Sequence, residues 1–597
     1  MALLVGCSQK ADTTTEIEAE PITPHESQAK MPAPVEPATK IEEPIASAPT
    51  EPVVPKPQIA TLATELRKLC ENPDQLPAPF PLVRSEVLDL VVTLYGQQEY
   101  QPFWFDGDTF KSSVARDAVS AFKIAESNAL DVADYFPEAL LDRLSYMEDV
   151  AKKDRIREGA ITDLVFTLGV TAFAYDLHLG RVPHDEVVST WGGVDKTLNA
   201  EDLFKRIRSG ENVQNVLASF APQQDAYRHL KRALATYREI AQVEGWQPID
   251  AGLLNGIKDR ELEAGSHVMV PLLRERLKRE GYDVAMPVNP ESVNVYDDSL
   301  KNMMQQFQAN RGLEPDGIVG PLTVAALNIP VEDLIEKIVW SMDRWRWLPE
   351  QLGERHILVN VPEFKLRAYQ AGQEPLQMRV IVGDSTKGTY TPLFADKMEY
   401  VIFRPYWNVP KSIIQGELVP EIKKDRKHIK KFNYEIVESF GPNAEVLKPS
   451  RQNIQRLEDG ELKIRQTAGP YNALGLVKFI FPNEHSVYLH DTNQRNLFVY
   501  SKRDMSHGCI RVHDPEALAR YALPPNYWTE ERIREAMYGE ESKRKSVSVG
   551  EHIPVYIFYL TAFPTAQAGP IGFFQDLYRK DVKMAAYARE PSEVTVQ

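Results

Sequence analysis

The spacing of hydrophobic positions changes along the chain and divides it into a helical part and a β-rich part. From about residue 61 to residue 256, apolar side chains recur every three or four positions, as in the stripe formed by Tyr227, Leu230, Leu234, Tyr237 and Ile240. Such spacing is typical of amphipathic helices. From Ile357 onward the period is two, which predicts short strands between Gly, Pro and Asp turns. The pattern predicts a multidomain α+β protein with a mostly antiparallel β-domain near its C-terminus.

One apolar run in the helical part, Leu164–Tyr175, is the strongest candidate for a membrane-spanning segment. It falls short of the ~18 apolar residues that a span requires, and Asp163 and Asp176 flank it. We therefore expect these residues to form a helix that is buried in the core of a domain.

Two segments connect the helical part, 60–260, to the β-rich part. Short apolar stretches separated by the turn dipeptides Asp316-Gly317 and Gly320-Pro321 predict a small helical module over 261–330. A connecting helix is expected over 331–350, where we interpret three tryptophans as packing residues: Trp340, Trp345 and Trp347.

Two local signals lie within the β-rich domain, 351–575. Residues 411–465 interrupt the period of two and contain a basic amphipathic piece, 421–431, of the kind that usually forms a solvated helix face. Farther along, Pro515–Leu523 is predicted to be a helix, with Asp514 as its N-cap and proline at the first helical position.

Composition limits the classes of function. The 597 residues carry a net charge of −16, which argues against general nucleic-acid binding. Residues 8–59 are rich in Pro, Glu, Thr and Ala and have too few apolar residues to fold, so an extended tether is expected. With 3 cysteines and no CxxC pair, neither a disulfide framework nor a zinc site is expected. Residues 576–597 are expected to be a C-terminal tail.

One cysteine, Cys509, lies in a segment whose residues favour nucleophilic chemistry, Ser506-His507-Gly508-Cys509-Ile510-Arg511. If the segment is extended, His507, Cys509 and Arg511 share one face. A free thiol has a pKa of roughly 8.5, so it needs a nearby base or cation to react as thiolate at neutral pH. His507 and Arg511 are the local candidates for these roles, and Gly508 allows a substrate carbonyl to approach the backbone closely.

A second histidine, His490, ends the strand-like run Val487-Tyr488-Leu489-His490 upstream of this segment. His490, a spacer and then Ser506-His507-Gly508-Cys509 resemble the active-site signature of the L,D-transpeptidases, which crosslink bacterial peptidoglycan. Arg511 stands where many members of that family carry asparagine. The resemblance implies that Cys509 is the nucleophile and His490 the general base. For His507, a role in orienting the substrate and a role in proton transfer both remain open.

The order of the segments resembles the large periplasmic branch of the family. That resemblance implies a helical scaffold over 60–260, a three-helix peptidoglycan-binding domain over 261–330 and a catalytic domain over 351–575. Residues 411–465 resemble the lid that is inserted in the catalytic domain of this branch.

The resemblance also implies a reaction. The thiolate of Cys509 would attack the third residue of a donor tetrapeptide stem and expel D-alanine, and an amine of an acceptor stem would then take the acyl group. Backbone N–H groups at Gly508 and Cys509 would hold the oxyanion. Arg511 and Ser506 would bind substrate, and Tyr488 would line the site or pack in the core. No metal or organic cofactor is required, and carbapenem-type compounds are the implied inhibitors.

Two alternatives to transpeptidation stay open on the sequence. The same thioester passed to water would make the protein an L,D-carboxypeptidase. A chain with an inactive cysteine site would be a non-catalytic scaffold that binds the cell wall. Because His490 and Cys509 are both present, we favour an enzyme, but the choice between amine and water as the acceptor is not encoded in the motif.

The first residues bear on location. Leu4-Val5-Gly6-Cys7 resembles a lipobox, in which the cysteine becomes the lipidated N-terminus, although no charged and hydrophobic signal region precedes it. We therefore expect that translation begins upstream, that Cys7 carries a lipid anchor, and that the protein resides in the periplasm of a Gram-negative bacterium.

Overall fold

The computed structural model describes residues 61–80, 83–151, 154–188, 196–243, 245–285, 287, 289–441, 443–566 and 569–589. Cys7 and the expected tether, 8–59, lie outside the described residues. Within the described ranges the architecture is a helical N-terminal part followed by a β-rich C-terminal domain, so the predicted multidomain α+β class is confirmed.

The N-terminal part is built from helices and one short β-ribbon. Their apolar stripes meet in a shared core, as the spacing of three and four predicts. The ribbon pairs β1 (Phe105–Asp106) with β2 (Thr109–Phe110). The helices are α1 (Leu62–Glu71), α2 (Ser85–Gln97), α3 (Ser112–Ala121), α4 (Ile124–Ser127), α5 (Pro137–Asp149), α6 (Arg155–Leu179), α7 (His184–Val187), α8 (Ala200–Arg208), α9 (Val213–Phe220) and α10 (Asp225–Gln242).

Helix α6 contains the apolar run that the sequence singled out. By length and composition it is the described helix that could cross a membrane, but 89% of its apolar window is buried inside the fold. The helix also continues through Asp163 and Asp176, which were expected to bound it. Asp163 is buried, and its carboxylate accepts hydrogen bonds from the Tyr95 hydroxyl and the Trp104 N–H. Such partners allow a carboxylate to sit inside a core helix.

The small module follows, with helices α11 (Val270–Arg279), α12 (Asp298–Asn310) and α13 (Pro321–Leu327) and a ribbon of β3 (Gly265–Ser266) and β4 (Val295–Tyr296). Its three helices enclose a separate apolar core. Helix α14 (Val331–Trp345) then leads to the β-rich domain, and its Trp340 and Trp345 are buried, as is Trp347 beyond its end.

A buried carboxylate joins the module to the helical part. Glu280 accepts hydrogen bonds from Arg276 at 3.1 Å, from the Tyr237 hydroxyl of α10 at 3.2 Å, and from Arg311. Burial raises the pKa of Glu280, but the two arginines outweigh it and hold the pKa below the ordinary glutamate value. The ionised carboxylate is therefore held by the two arginines of the module, and its hydrogen bond with Tyr237 links the module to the helical part.

The C-terminal domain is a sheet that closes on itself. The strand order is β14-β7-β15-β13-β12-β8-β16-β5-β6, and β6 also pairs with β7. Parallel pairing occurs for β13–β15, β14–β7 and β16–β5, and the other pairs are antiparallel. The strands are β5 (Arg355–Asn360), β6 (Lys365–Gln370), β7 (Leu376–Gly383), β8 (Phe394–Phe403), β12 (Val477–Ile480), β13 (Leu489–His490), β14 (Asp504–Ser506), β15 (Ile510–Val512) and β16 (Lys545–Phe558).

Residues 411–465, which we call the insert, lie between β8 and β12. They have an apolar core of their own, shared with the flanking residues Trp407 and Leu474. Strand β9 (Trp407–Asn408) precedes the insert. The elements of the insert are α15 (Lys411–Ile413), a π-helical turn (Ile414–Leu418), α16 (Val419–Lys424), α17 (Lys427–Lys431), β10 (Tyr434–Val437), α18 (Arg451–Glu458) and β11 (Lys463–Gln466).

The domain ends in helices and a second ribbon. Helix α19 (Pro515–Ala522) begins as predicted, because the carboxylate of Asp514 accepts the N–H of Ala517. The remaining elements are α20 (Glu530–Tyr538), β17 (Ala562–Pro564), β18 (Ile571–Phe573) and α21 (Lys580–Arg589). Helix α21 lies in the segment expected to be a tail, and it is docked rather than loose. Its Asp581 accepts hydrogen bonds from the buried Arg344 and from Thr561.

Candidate active site

Cys509 lies in a turn between β14 and β15 rather than in one continuous strand. Strand β14 runs parallel to β7 on one side, and β15 runs antiparallel to β7 on the other. The chain therefore crosses the end of β7 between Ser506 and Ile510. Gly508 has φ +121°, a conformation that side-chain-bearing residues rarely adopt. The segment is therefore not one extended strand, so the condition under which His507, Cys509 and Arg511 were expected to share a face is not met.

Four hydroxyl-mediated hydrogen bonds hold this turn in place. The Ser506 hydroxyl donates to the Cys509 carbonyl at 2.7 Å and accepts the Gly508 N–H at 3.1 Å. Thr391 donates to the Gly508 carbonyl at 2.8 Å, and Thr389 donates to the Ser506 carbonyl at 2.9 Å. The loop before β8 therefore fixes the backbone on which the thiol stands. The two threonines carry no local motif, and the sequence did not reveal them.

These hydrogen bonds involve two groups for which the sequence predicted other roles, the Ser506 hydroxyl and the Gly508 N–H. The hydroxyl of Ser506, expected to bind substrate, is engaged by the backbone of the turn. The N–H of Gly508, expected to hold an oxyanion, already donates to that hydroxyl. An oxyanion role for Gly508 stays a prediction, and it requires this N–H to exchange one acceptor for another.

The Cys509 side chain faces the residues that precede β13. Cys509 is buried, and its Sγ lies 3.9 Å from the carbonyl oxygen of Ser486. The second described cysteine, Cys70, is a buried residue of the helical part, where burial raises the pKa of its thiol to about 12. A thiol in that state is inert, so Cys509 is the described cysteine with nucleophilic surroundings.

His490 is buried at the end of β13, the strand that pairs with β15 just after Cys509. In the register of the strands it is paired with Arg511 of β15 and with Lys478 of β12. Its Nδ1 is hydrogen-bonded to the carbonyl oxygen of Asp491, which can only accept, so Nδ1 carries the proton. Burial, with a further contribution from the two nearby cations, lowers the pKa of His490 to about 3. The imidazole is therefore neutral, and its Nε2 carries the lone pair that a base needs.

Arg511 is a buried cation in β15, two residues after Cys509. Its Nη1 donates to Gln494 at 2.9 Å, whereas Nε and Nη2 are buried and have no hydrogen-bond partner among the described residues. Burial lowers the pKa of Arg511 to about 10, and the charge of a Cys509 thiolate opposes that shift. The attraction is mutual, so the guanidinium stabilises negative charge on Sγ. The two unpaired donors also suit an anionic or carbonyl ligand.

Tyr488 contacts the sheet and the insert together. Its ring lies 3.7 Å from the Nζ of Lys478 and 5.6 Å from the ring of His490, and it packs against the core of the insert. Lys478, which the sequence analysis did not identify, thus borders the site beside His490. The packing of Tyr488 is thus observed against the core of the insert, and its role in lining the site stays a prediction.

His507 points toward the insert. Its Nε2 lies 3.0 Å from the carboxylate of Glu417, on the π-helical turn, and its Nδ1 is buried without a partner in the part of the chain that the structure describes. Glu417 was not identified from the sequence, because nothing local marks it. Across the described residues, no group of three or more His, Cys, Asp or Glu side chains is placed to hold a metal ion.

Family models match three parts of the chain. Residues 354–575 match the YkuD model, described as "L,D-transpeptidase catalytic domain". Residues 89–234 match a "Scaffold domain", and residues 266–327 match a "Putative peptidoglycan binding domain".

A curated relative and a solved structure also match part of this chain. A protein of Haemophilus influenzae named "Putative L,D-transpeptidase" is 33% identical over 250 residues, which are 42% of this chain and 49% of that protein. The chain thus spans about half the length of this curated relative. A crystal structure of an L,D-transpeptidase from Xylanimonas cellulosilytica aligns with 50% of this chain and 97% of its own, at 14% identity. Its TM-score of 0.16 is too low to inform the fold.

The YkuD match contains the closed sheet, the insert and every residue of the site described above. The two further family matches fall in order on the helical part and on the small module. Residues 354–575 are therefore an L,D-transpeptidase catalytic domain of the YkuD family, in a chain that also carries a scaffold domain and a domain of the peptidoglycan-binding type.

Proposed function

We propose that the protein is a peptidoglycan L,D-transpeptidase that joins the third residues of two stem peptides through a thioester on Cys509. The observation that carries this proposal is that Cys509 lies in a hydrogen-bonded turn leading into β15, where the buried Arg511 pairs with the neutral His490 of β13. A thiol, a lone-pair base and a cation are the groups that nucleophilic acyl transfer requires.

The first half-reaction forms the thioester. Nε2 of His490 takes the thiol proton, Sγ bonds to the carbonyl carbon of the third residue of the donor tetrapeptide, and the C–N bond to D-alanine breaks. The proton held by His490 leaves with the D-alanine amine. The hydrogen bond from Nδ1 to Asp491 supports this role, because it orients the ring and fixes the tautomer.

The second half-reaction transfers the acyl group. The side-chain amine of an acceptor stem, such as that of diaminopimelate, attacks the thioester carbon, the C–S bond breaks, and the amine loses one proton. The two unpaired donors of Arg511 support binding of a carboxylate or carbonyl group of a stem next to the thiol. The adjacent insert supports exclusion of water, which competes with the amine.

Transfer to water and the absence of chemistry remain the alternatives, and one incubation separates all three. Purified disaccharide-tetrapeptide is incubated with the full chain, and the products are read by mass spectrometry. We expect crosslinked dimers together with free D-alanine. Tripeptide without dimer would instead make the protein an L,D-carboxypeptidase, and unchanged substrate would leave a non-catalytic wall-binding scaffold.

We further propose that the protein works in the periplasm and is anchored through Cys7. The domains of the peptidoglycan-binding and transpeptidase types support a location at the cell wall. Lipoprotein anchors hold a protein firmly because several acyl chains insert together. When the gene is expressed from its native locus, we expect the parent protein in the membrane fraction and Cys7→Ser in the soluble periplasmic fraction. Equal solubility of both forms would refute the anchor and leave the chemistry at Cys509 unaffected.

A further inference from the structure

The insert contributes one carboxylate directly to the catalytic segment. Oε1 of Glu417 lies 3.0 Å from Nε2 of His507, two residues before the nucleophile. About one-third of the Glu417 side chain is exposed (34%), whereas that of His507 is largely buried (16%). The contact is therefore at the boundary between the insert and the sheet, where it is only partly screened by solvent.

The position of Glu417 is set by an irregular stretch of helix. It lies in the π-helical turn Ile414–Leu418, whose flanking Ile414 and Leu418 are buried in the core of the insert. Gln415 ties the same turn to α18 through a 2.6 Å hydrogen bond to the Glu458 carbonyl. Turns of this kind change the direction of side chains and are frequent at functional sites. Here the turn directs a carboxylate out of the insert and onto His507.

The contact determines the state of the other ring nitrogen. An ionised carboxylate only accepts hydrogen bonds, so Nε2 of His507 carries the proton. In the neutral ring, Nδ1 is then a lone-pair acceptor. Nδ1 is buried and has no partner within the described ranges of the chain. A buried acceptor without a partner is costly unless a ligand supplies a donor.

We propose that Glu417 is a positioning residue for the second half-reaction, which holds His507 so that Nδ1 takes a proton from the acceptor amine. The proposal rests on the proposed function and deepens it. His490 takes the proton of the Cys509 thiol in the first half-reaction, and His507 takes a proton of the acceptor amine in the second. As the amine nitrogen bonds to the thioester carbon, one N–H proton moves to Nδ1, the C–S bond breaks, and Cys509 leaves as thiolate. The proton then returns from Nδ1 to the thiolate through solvent, which restores both groups.

The two steps can be measured separately in the full chain. Acylation of Cys509 by a carbapenem is followed by intact-protein mass spectrometry, and transfer is followed as crosslinked dimer formed from disaccharide-tetrapeptide. Glu417→Gln keeps the size of the side chain and removes its charge. His507→Gln keeps a polar atom near the place of Nε2 and removes Nδ1. Glu445→Gln, at an exposed position of the same insert, is the matched control.

We expect both Glu417→Gln and His507→Gln to lower transfer by about tenfold or more, while acylation stays within about threefold of the parent. The double variant should be no slower in transfer than the worse single variant, because both changes interrupt one unit. Glu445→Gln should leave both steps unchanged. A merely structural role of the pair would lower acylation and transfer together.

Three results would overturn the inference: normal transfer in Glu417→Gln, equal losses in both steps, or additive losses in the double variant. If His507→Gln is unstable, comparison of the two steps in Glu417→Gln decides alone, since this change keeps the size of a partly exposed side chain and leaves no cavity. A parent protein that is not acylated at Cys509 would refute the proposed function itself, which is a separate outcome.

Discussion

Replacing Cys509 by alanine is expected to abolish the release of D-alanine and the formation of crosslinks. One thiol performs the covalent step, and loss of a nucleophile from such a unit costs a factor on the order of 10⁶ in rate. A carbapenem should acylate the parent chain at Cys509 and leave the Cys509→Ala chain without an adduct. The measurement is the intact mass of each protein after incubation with the inhibitor.

The fold should survive this change. Cys509 is buried, but its backbone is held by Ser506, Thr389 and Thr391, and none of these contacts involves the sulfur atom. Removing one buried sulfur costs about 1 kcal/mol, which is small beside the stability of a folded domain. Cys70→Ala is the matched control, because it removes the other described thiol, and its adduct should form at the parental rate. A full-occupancy adduct on Cys509→Ala would refute the assignment of the nucleophile.

Replacing His490 by asparagine is expected to slow acylation by about 10²–10⁴-fold, the usual effect of losing a general base. The side-chain amide of asparagine occupies the position of Nδ1 and still donates to the Asp491 carbonyl, whereas nothing replaces Nε2. The change therefore tests the lone pair rather than the packing. The rate of carbapenem adduct formation measures this step directly.

His507→Gln is the control for His490→Asn, because it alters the other histidine of the motif. If His490 is the base for the thiol, His507→Gln should keep an acylation rate within about threefold of the parent. A slower acylation in His507→Gln than in His490→Asn would reverse the two roles. Unfolding curves of both variants should accompany the rates, since His490 is buried in the sheet.

Some features of this protein are determined by the sequence alone because they depend on neighbouring residues. The change from a period of three or four to a period of two places the boundary between helices and strands. Asp514 followed by proline starts α19 where predicted, because a cap and a fixed φ act within one turn of helix. Cys509, His490 and Arg511 also stand out locally, and the fold pairs His490 with Arg511, two residues after Cys509.

Other features depend on residues that are distant in the sequence, so no local pattern contains them. The helix that contains Leu164–Tyr175 continues through Asp163. A tyrosine hydroxyl and backbone N–H groups from elsewhere in the helical part donate hydrogen bonds to the carboxylate of Asp163. The C-terminal segment docks as α21 because its Asp581 meets Arg344, which lies 237 residues earlier. Burial removes the solvent that would otherwise satisfy these charges, so partners must come from the fold.

In the candidate active site, the residue types follow from the local sequence, whereas their contacts depend on residues that are distant in the sequence. The sequence supplies the candidate nucleophile and two candidate histidines, but their environments are decided by the tertiary structure. The chain turns at Gly508, and Glu417, 90 residues away from His507, becomes the partner of His507. Thr391, 117 residues from Gly508, holds the backbone beneath the thiol. Strand register and burial determine that Glu417 contacts His507 and that Thr391 contacts Gly508. Register and burial are set only when the whole sheet and its insert have assembled.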